Sequence, residues 1–198
     1  MALSETAQLI INHTIKLLET KPITSISIVE VTSSLQISRV TFYKYFRNIR
    51  DVLDVLVEEL LLGFSQKLQK KNTHLLDFVN MNSSSAIKAT LYDNALGVDK
   101  YFYANRKYIK GLLFKNSGID FISMLQAVYY NHFHVAIENV LSMYDKKIIS
   151  RYVNYMASGV TAIWQEWFIN NFDLSVETIT NDRLDMLAPS LTALYMRK

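Results

Sequence analysis

Two prolines and five glycines punctuate a chain of 198 residues. A β-protein of this length needs many reversals, and turns draw on Gly, Pro, Asn and Asp. So few breakers between long periodic stretches point to an all-α chain. Half the residues are apolar and 20% are charged, which is the balance of a folded protein and not of a disordered one. The length suits one or two domains with a sizeable core. Cysteine is absent, so disulfides, thiolate zinc sites and cysteine nucleophiles are excluded.

The charge is unevenly placed. Six of the 21 Lys and Arg and three of the 18 Asp and Glu fall within residues 1–50, so that segment carries the whole net charge of +3. Most of the excess lies between Arg39 and Arg50. A basic module joined to a neutral one suggests that the first meets a polyanion. A solvated basic face is the bland alternative.

Apolar spacing predicts a helix from Leu3 to Glu19, with Ser4 as a possible N-cap and Lys21-Pro22 as its stop. Ser27-Ile28-Val29-Glu30 has the form of a capping box, and a short helix follows through Val31 and Leu35. Ser38 caps a second short helix running from Arg39 to Phe46, after a tight turn at Ser34 to Ile37. A longer helix begins at Ile49 or Arg50 and runs towards Lys70. The Lys-, Asn- and Ser-rich segment 70–85 marks a break between modules. Five further helices are placed near 84–104, 106–115, 118–143, 146–171 and 175–196, which makes about nine in total. The expected organisation is residues 1–50 as one domain, 51–70 as a connecting helix and 71–198 as a larger helical domain.

Two short helices joined by a tight turn form a helix-turn-helix pattern, whose second helix enters the DNA major groove. Here that helix would present Ser38, Arg39, Thr41, Lys44 and Tyr45, and bury Val40 or Phe42 together with Phe46. Arg39 is the candidate for bidentate readout of guanine. Ser27, Tyr43, Lys44, Arg47 and Arg50 are candidates for backbone phosphate contacts.

Ile26-Ser27-Ile28-Val29-Glu30-Val31, then Ile37-Ser38-Arg39-Val40-Thr41-Phe42-Tyr43-Lys44-Tyr45-Phe46, resembles the DNA-binding domain of TetR/AcrR-type transcriptional regulators. Thr41-Phe42-Tyr43 with Phe46, and the following Asp51-Val52-Leu53, are its most specific parts, and the resemblance spans about residues 8 to 56. There are two departures. The turn position that usually holds Gly is Gln36, and a side chain enters the left-handed region only at a cost. The Lys that usually opens the next helix is Ile49, which leaves Arg47 or Arg50 to take over its phosphate contact.

Residues 86–198 are rich in aromatics, and core packing accounts for most of them. The resemblance implies a small-molecule pocket in this half, with Tyr101, Tyr129, His132 and Trp164 as candidate lining residues. It also implies that the last two helices pair with a second copy. Val153, Val160, Ile163 and Trp167 on one stripe, and Leu187 and Leu191 on the other, are the candidate interface. The alternative is that both stripes face the protein's own core. Pro189 is expected to kink the last helix or leave one hydrogen bond open.

No reaction chemistry stands out. His132 and His134 are two residues apart and point to different sides of a helix, so no metal site is expected. Gly-rich phosphate loops and nucleophile elbows are absent, and Glu58-Glu59 and Asp51/Asp54 read as solvated faces. A non-enzyme without cofactor follows. The longest uncharged stretch, Phe121 to Ile137, holds Gln126, Asn131 and two histidines and is too short and too polar to span a bilayer. The start of the chain lacks a secretory pattern, so a cytoplasmic protein without membrane association is expected. The combined expectation is a homodimeric transcriptional regulator, of the repressor kind, that binds a palindromic double-stranded DNA operator and answers to a small-molecule inducer. The rivals are a protein-interaction module with a degenerate DNA reader, for which Gln36 and Ile49 speak, and a helical enzyme with an unusual site.

Overall fold

The computed structural model describes residues 4–69 and 79–197. Among them are nine α-helices and no strand. They are α1 (Glu5–Leu17), α2 (Ile28–Ser34), α3 (Arg39–Tyr43), α4 (Ile49–Gln69), α5 (Ser84–Ala104), α6 (Arg106–Leu113), α7 (Phe121–Val140), α8 (Lys146–Ile169) and α9 (Val176–Tyr195). Most of the expected break at 70–85 lies outside the described residues, as does Leu3.

Local chemistry sets most of the helix starts. The hydroxyls of Ser4, Ser27, Ser38, Ser83 and Ser175 accept from the backbone N–H groups of Ala7, Glu30, Thr41, Ala86 and Thr178. Each such cap is worth about 1 kcal/mol. Only half of the Ser27 capping box forms, because the Glu30 carboxylate pairs with Lys21 instead of turning back on Ser27.

The chain builds two compact units. One comprises residues up to Leu60 together with Lys107–Phe121; the other comprises Leu61–Arg106 together with residues from Ile122 onward. The first unit buries Ile10 and Ile11 of α1 and Leu18 just after it, Val31 of α2, Phe42 and Phe46, and Val52 and Leu53 of α4. Helix α6 packs on α1: a side chain at Gly111 would run into Ile15. Tyr108 joins them as well, accepting from Gln8 Nε2 and donating to Asn12 Oδ1, both at 2.9 Å.

The second unit is centred on aromatics. Phe64, Phe102, Tyr129, Trp164 and Phe168 lie within one cluster, with Phe102 and Trp164 edge-on at 5.0 Å. Such pairs add to the large apolar area these rings bury. Helix α9 packs against α5 and α8 and continues through Pro189 to Tyr195 without breaking. The turn after α8 places Asn171 and Phe172 in the left-handed region at φ 60° and 58°. For a phenylalanine this costs about 1–2 kcal/mol. Its ring is buried against Trp167 at 4.7 Å and Phe168 at 5.1 Å, which offsets that strain.

The α8 and α9 stripes require a correction. Val153, Val160, Trp167, Leu187 and Leu191 are all buried within the protein's own second unit, and only Ile163 is half-exposed. A side chain that exposes almost no surface has little area left to give to another copy. The exposed apolar side chains of these helices are instead Tyr155, Ile169 and Met186. Among the described residues, no helix is long and apolar enough to cross a membrane.

Candidate functional site

The turn between α2 and α3 decides where the second helix points. Leu35 ends α2, and Gln36 enters the left-handed region at φ 54°. The Ile37 N–H then donates to the Thr32 carbonyl at 3.0 Å, and the Gln36 N–H to the Ser33 carbonyl at 3.2 Å. This paired closure is the Schellman motif, which normally uses glycine. Gln36 therefore keeps the tight geometry and carries its steric cost instead of rebuilding the turn.

Helix α3 is anchored by Phe42, fully buried, and by Phe46 just beyond it. Val40 is not a core residue: it is 70% exposed, so of the two alternatives Phe42 takes the buried place. Arg39, Val40, Tyr43 and Lys44 are all exposed. Arg39 and Lys44 have no ion-pair partner among the described residues. Tyr43 stands 57% exposed, edge-on to Phe42 at 5.8 Å.

The other candidate DNA contacts are partly engaged elsewhere. Ser38 caps α3, and its hydroxyl shares a hydrogen bond with the Thr41 hydroxyl at 2.8 Å. Ser27 caps α2 and remains exposed. Hydrogen bonds with the Ser4 and Thr6 hydroxyls hold the Tyr45 phenol below its ordinary pKa, which ties Tyr45 to the start of α1.

Arg47 and Arg50 are both paired with carboxylates. Arg47 donates to Asp51 Oδ1 from Nη2 at 2.8 Å and to Oδ2 from its backbone N–H at 2.7 Å. These bonds hold the Asp51 carboxyl below the usual carboxylate range. Arg50 donates to Asp54 at 3.1 Å and more weakly to the Gly118 carbonyl at 3.4 Å. Ile49 is buried at the start of α4, so the position that would face a phosphate contributes to the core. The unneutralised positive charge of this region is therefore Arg39 and Lys44.

The second unit holds a half-open cavity of about 90 Å³. Tyr129, His132, Trp164 and Arg183 line it, with Leu91, Phe133 and Leu184 among its apolar walls. Three of the four pocket candidates meet there. Tyr101 does not line it; its phenol lies over Gly63, in the space a side chain there would need. Burial pushes the Tyr129 phenol above its ordinary pKa and holds the His132 imidazole below its own, so both stay neutral at neutral pH.

Sequence reasoning missed the charged pair beside this cavity. Asp99 and Arg183 are 0% and 3% exposed and meet at 2.6 Å. A signal was present: Arg183 interrupts an otherwise apolar or small stripe on α9, three residues after Thr180 and four before Leu187. A charge in such a stripe must find a partner when the stripe is buried.

No protein-family model matches the sequence, and neither does any curated protein. Solved structures do match. The dihydroxyacetone kinase operon activator DhaS is 16% identical with a TM-score of 0.63, over 96% of this chain and 97% of that one. The fatty acid degradation regulator FadR from Bacillus halodurans is 13% identical with a TM-score of 0.64, over 95% of this chain and 97% of that one. The chain shares the fold of these two proteins along nearly its whole length. Regulatory protein TetR from Rhodobacter sphaeroides is also matched, at 15% identity and a TM-score of 0.49, over 96% of this chain and 98% of that one. Among the described residues the fold is all-α, with the two short helices α2 and α3 joined by a tight turn near its N-terminal end.

Proposed function

We propose that the protein is a sequence-specific, DNA-binding transcriptional regulator, a homodimeric cytoplasmic repressor whose larger helical domain takes a small-molecule inducer. The single observation that carries this reading is α3. Its hydrophobic anchor is buried, while its free face offers Arg39, Val40, Tyr43 and Lys44 without neutralising partners. A helix held in this way by a tight turn is suited to the major groove. The matched proteins are named an operon activator and a degradation regulator, which supports the regulatory role and not the sign of regulation.

Two-fold symmetry would let two copies of α3 read an inverted repeat. An inducer in the larger domain would act by preferring the state in which the two reading helices no longer match the half-sites. No catalytic role is needed for either step.

The rival reading, a protein-interaction module with a degenerate reader, rested on Gln36 and Ile49. Gln36 retains the turn, which weakens that reading. Ile49 and the carboxylate-paired arginines speak for a modest phosphate contribution.

The test is retention of sheared genomic DNA on the purified protein at moderate salt, followed by sequencing. An enriched inverted repeat is expected, bound more weakly by Arg39→Ala and Tyr43→Phe variants of unchanged fold. Wild-type binding by both variants overturns the site assignment. No enriched fragment from a folded dimer overturns the DNA-binding reading.

A further inference from the structure

Behind two of the cavity's lining residues, Trp164 and Arg183, lies one buried carboxylate. Asp99 Oδ1 accepts from the Trp164 indole N–H at 2.7 Å. Its Oδ2 accepts from the Thr180 hydroxyl and from Arg183 Nη2, both at 2.6 Å. Arg183 Nη2 also donates to the Ala95 carbonyl at 3.2 Å, and the guanidinium lies 4.7 Å above the Trp164 ring. Asp99 is thereby satisfied and Arg183 neutralised. The Arg183 Nε–H is buried and has no hydrogen-bond partner among the described residues.

Arg183 lines the cavity, and it is the one charged side chain that does so among the described residues. The remaining wall is mostly apolar. A cavity of about 90 Å³ is smaller than the about 150 Å³ in which an apolar protein cavity holds benzene. We infer that this cavity takes a compact, uncharged, mainly apolar ligand bearing one hydrogen-bond acceptor, such as a small ketone, and that the acceptor is bound by the Arg183 guanidinium. This deepens the inducer reading proposed above and rests on it.

Charge decides the class. Asp99 already balances Arg183, so a carboxylate ligand would place two anions on one buried guanidinium. An uncompensated buried charge is strongly unfavourable. His132 supplies no second cation, because its burial favours the neutral imidazole. An uncharged acceptor meets the guanidinium that lines the cavity without adding charge.

The same guanidinium also borders a second cavity on the α8 and α9 face, beside Tyr155, Ile163 and Met186. A ligand that pulls on Arg183 therefore has a direct route to the α8 and α9 face.

The chain has two tryptophans, which makes the test simple. The Trp164 indole N–H meets Asp99 at the cavity, whereas the Trp167 indole N–H donates to the Leu174 carbonyl at 3.0 Å and does not line the cavity. Full-length protein with ¹⁵N-labelled tryptophan is titrated with butanone and with propionate, two molecules of matched size. The expected result is a saturable shift of the Trp164 indole signal with butanone, an unmoved Trp167 signal, and binding of propionate weaker by roughly tenfold or more. Propionate binding as tightly as butanone overturns the uncharged class. No saturable shift with either probe, or equal shifts of both tryptophans, overturns the site.

The double variant Asp99→Asn with Arg183→Met keeps the interior neutral and should lose the butanone response, while persistence of the response overturns the role of Arg183. None of these readouts involves DNA. Failure here with an enriched operator leaves the DNA-binding reading standing, and a butanone response without an operator does the reverse.

Discussion

The Ser38 hydroxyl accepts from the Thr41 backbone N–H at 2.9 Å and shares a second hydrogen bond with the Thr41 hydroxyl at 2.8 Å. Both groups were read from the sequence as DNA donors. In the folded protein they first close the start of α3, and so they position its neighbours Arg39 and Val40.

Ser38 and Arg39 should therefore separate in experiment. Ser38→Ala removes a cap and is expected to lower unfolding stability by about 1 kcal/mol, with operator affinity falling alongside. Arg39→Ala, at an exposed site with no ion pair, should leave the melting temperature unchanged and cost operator binding about 1–3 kcal/mol at a guanine position. Thermal melts and DNA titrations of the two variants check this. Equal melting temperatures for Ser38→Ala and wild type would remove its capping role.

Val40 is an isopropyl group held out to solvent on α3. In the major groove such a group pairs naturally with the 5-methyl of thymine. Replacing one operator thymine by uracil is expected to weaken wild-type binding by about 0.8 kcal/mol, or roughly fourfold. The Val40→Ala variant should show no such loss. If no thymine position distinguishes the two proteins, Val40 does not read a methyl group.

Gln36 pays a backbone cost that glycine would not. Gln36→Gly is expected to stabilise the protein by about 1 kcal/mol, since φ 54° is strained for a residue with a Cβ. The turn bonds of Ile37 and Gln36 are made by the backbone and survive the change. Chemical denaturation measures the shift. A destabilised variant would mean that the glutamine side chain contributes contacts worth more than the strain.

Asp51 gives the pH prediction. Its folded-state pKa is depressed, first by the Arg47 side chain and then by the Arg47 backbone N–H. The stability it contributes is therefore fully present above the ordinary carboxylate pKa and is lost as pH falls through the lower folded value. Asp51→Asn should be less stable at neutral pH by about 1 kcal/mol, and the two proteins should converge in acid. Parallel stability curves for the two proteins down to strongly acid pH would rule this out.

Helix positions and their starts were largely legible in the sequence, because they depend on neighbours a few residues away. Ser4, Ser27 and Ser38 each accept the N–H three residues on, and no distant group is needed for that. The apolar spacing likewise located α5, α7, α8 and α9 to within a few residues. Burial of Phe42 and Phe46 followed from their spacing of four. The sequence by itself thus determined an all-helical chain and the short helix α3 with its aromatic anchor.

What packs against what was decided only in three dimensions. An amphipathic stripe states that one face is buried, not against which surface, so Val153, Trp167 and Leu191 could as well have faced a second copy as their own core. Asp99 and Arg183 lie 84 residues apart, and nothing local announces their bond. The same holds for Gly111 of α6, whose missing side chain admits Ile15 of α1. Charge is the last case: Arg47 and Arg50 count as cations in the sequence, and the folded helix spends them on Asp51 and Asp54 four residues on. Short-range bonding is written along the chain, while the choice of buried partner is a competition among all faces at once, settled by which closed packing leaves the least apolar surface and the fewest unpaired polar groups.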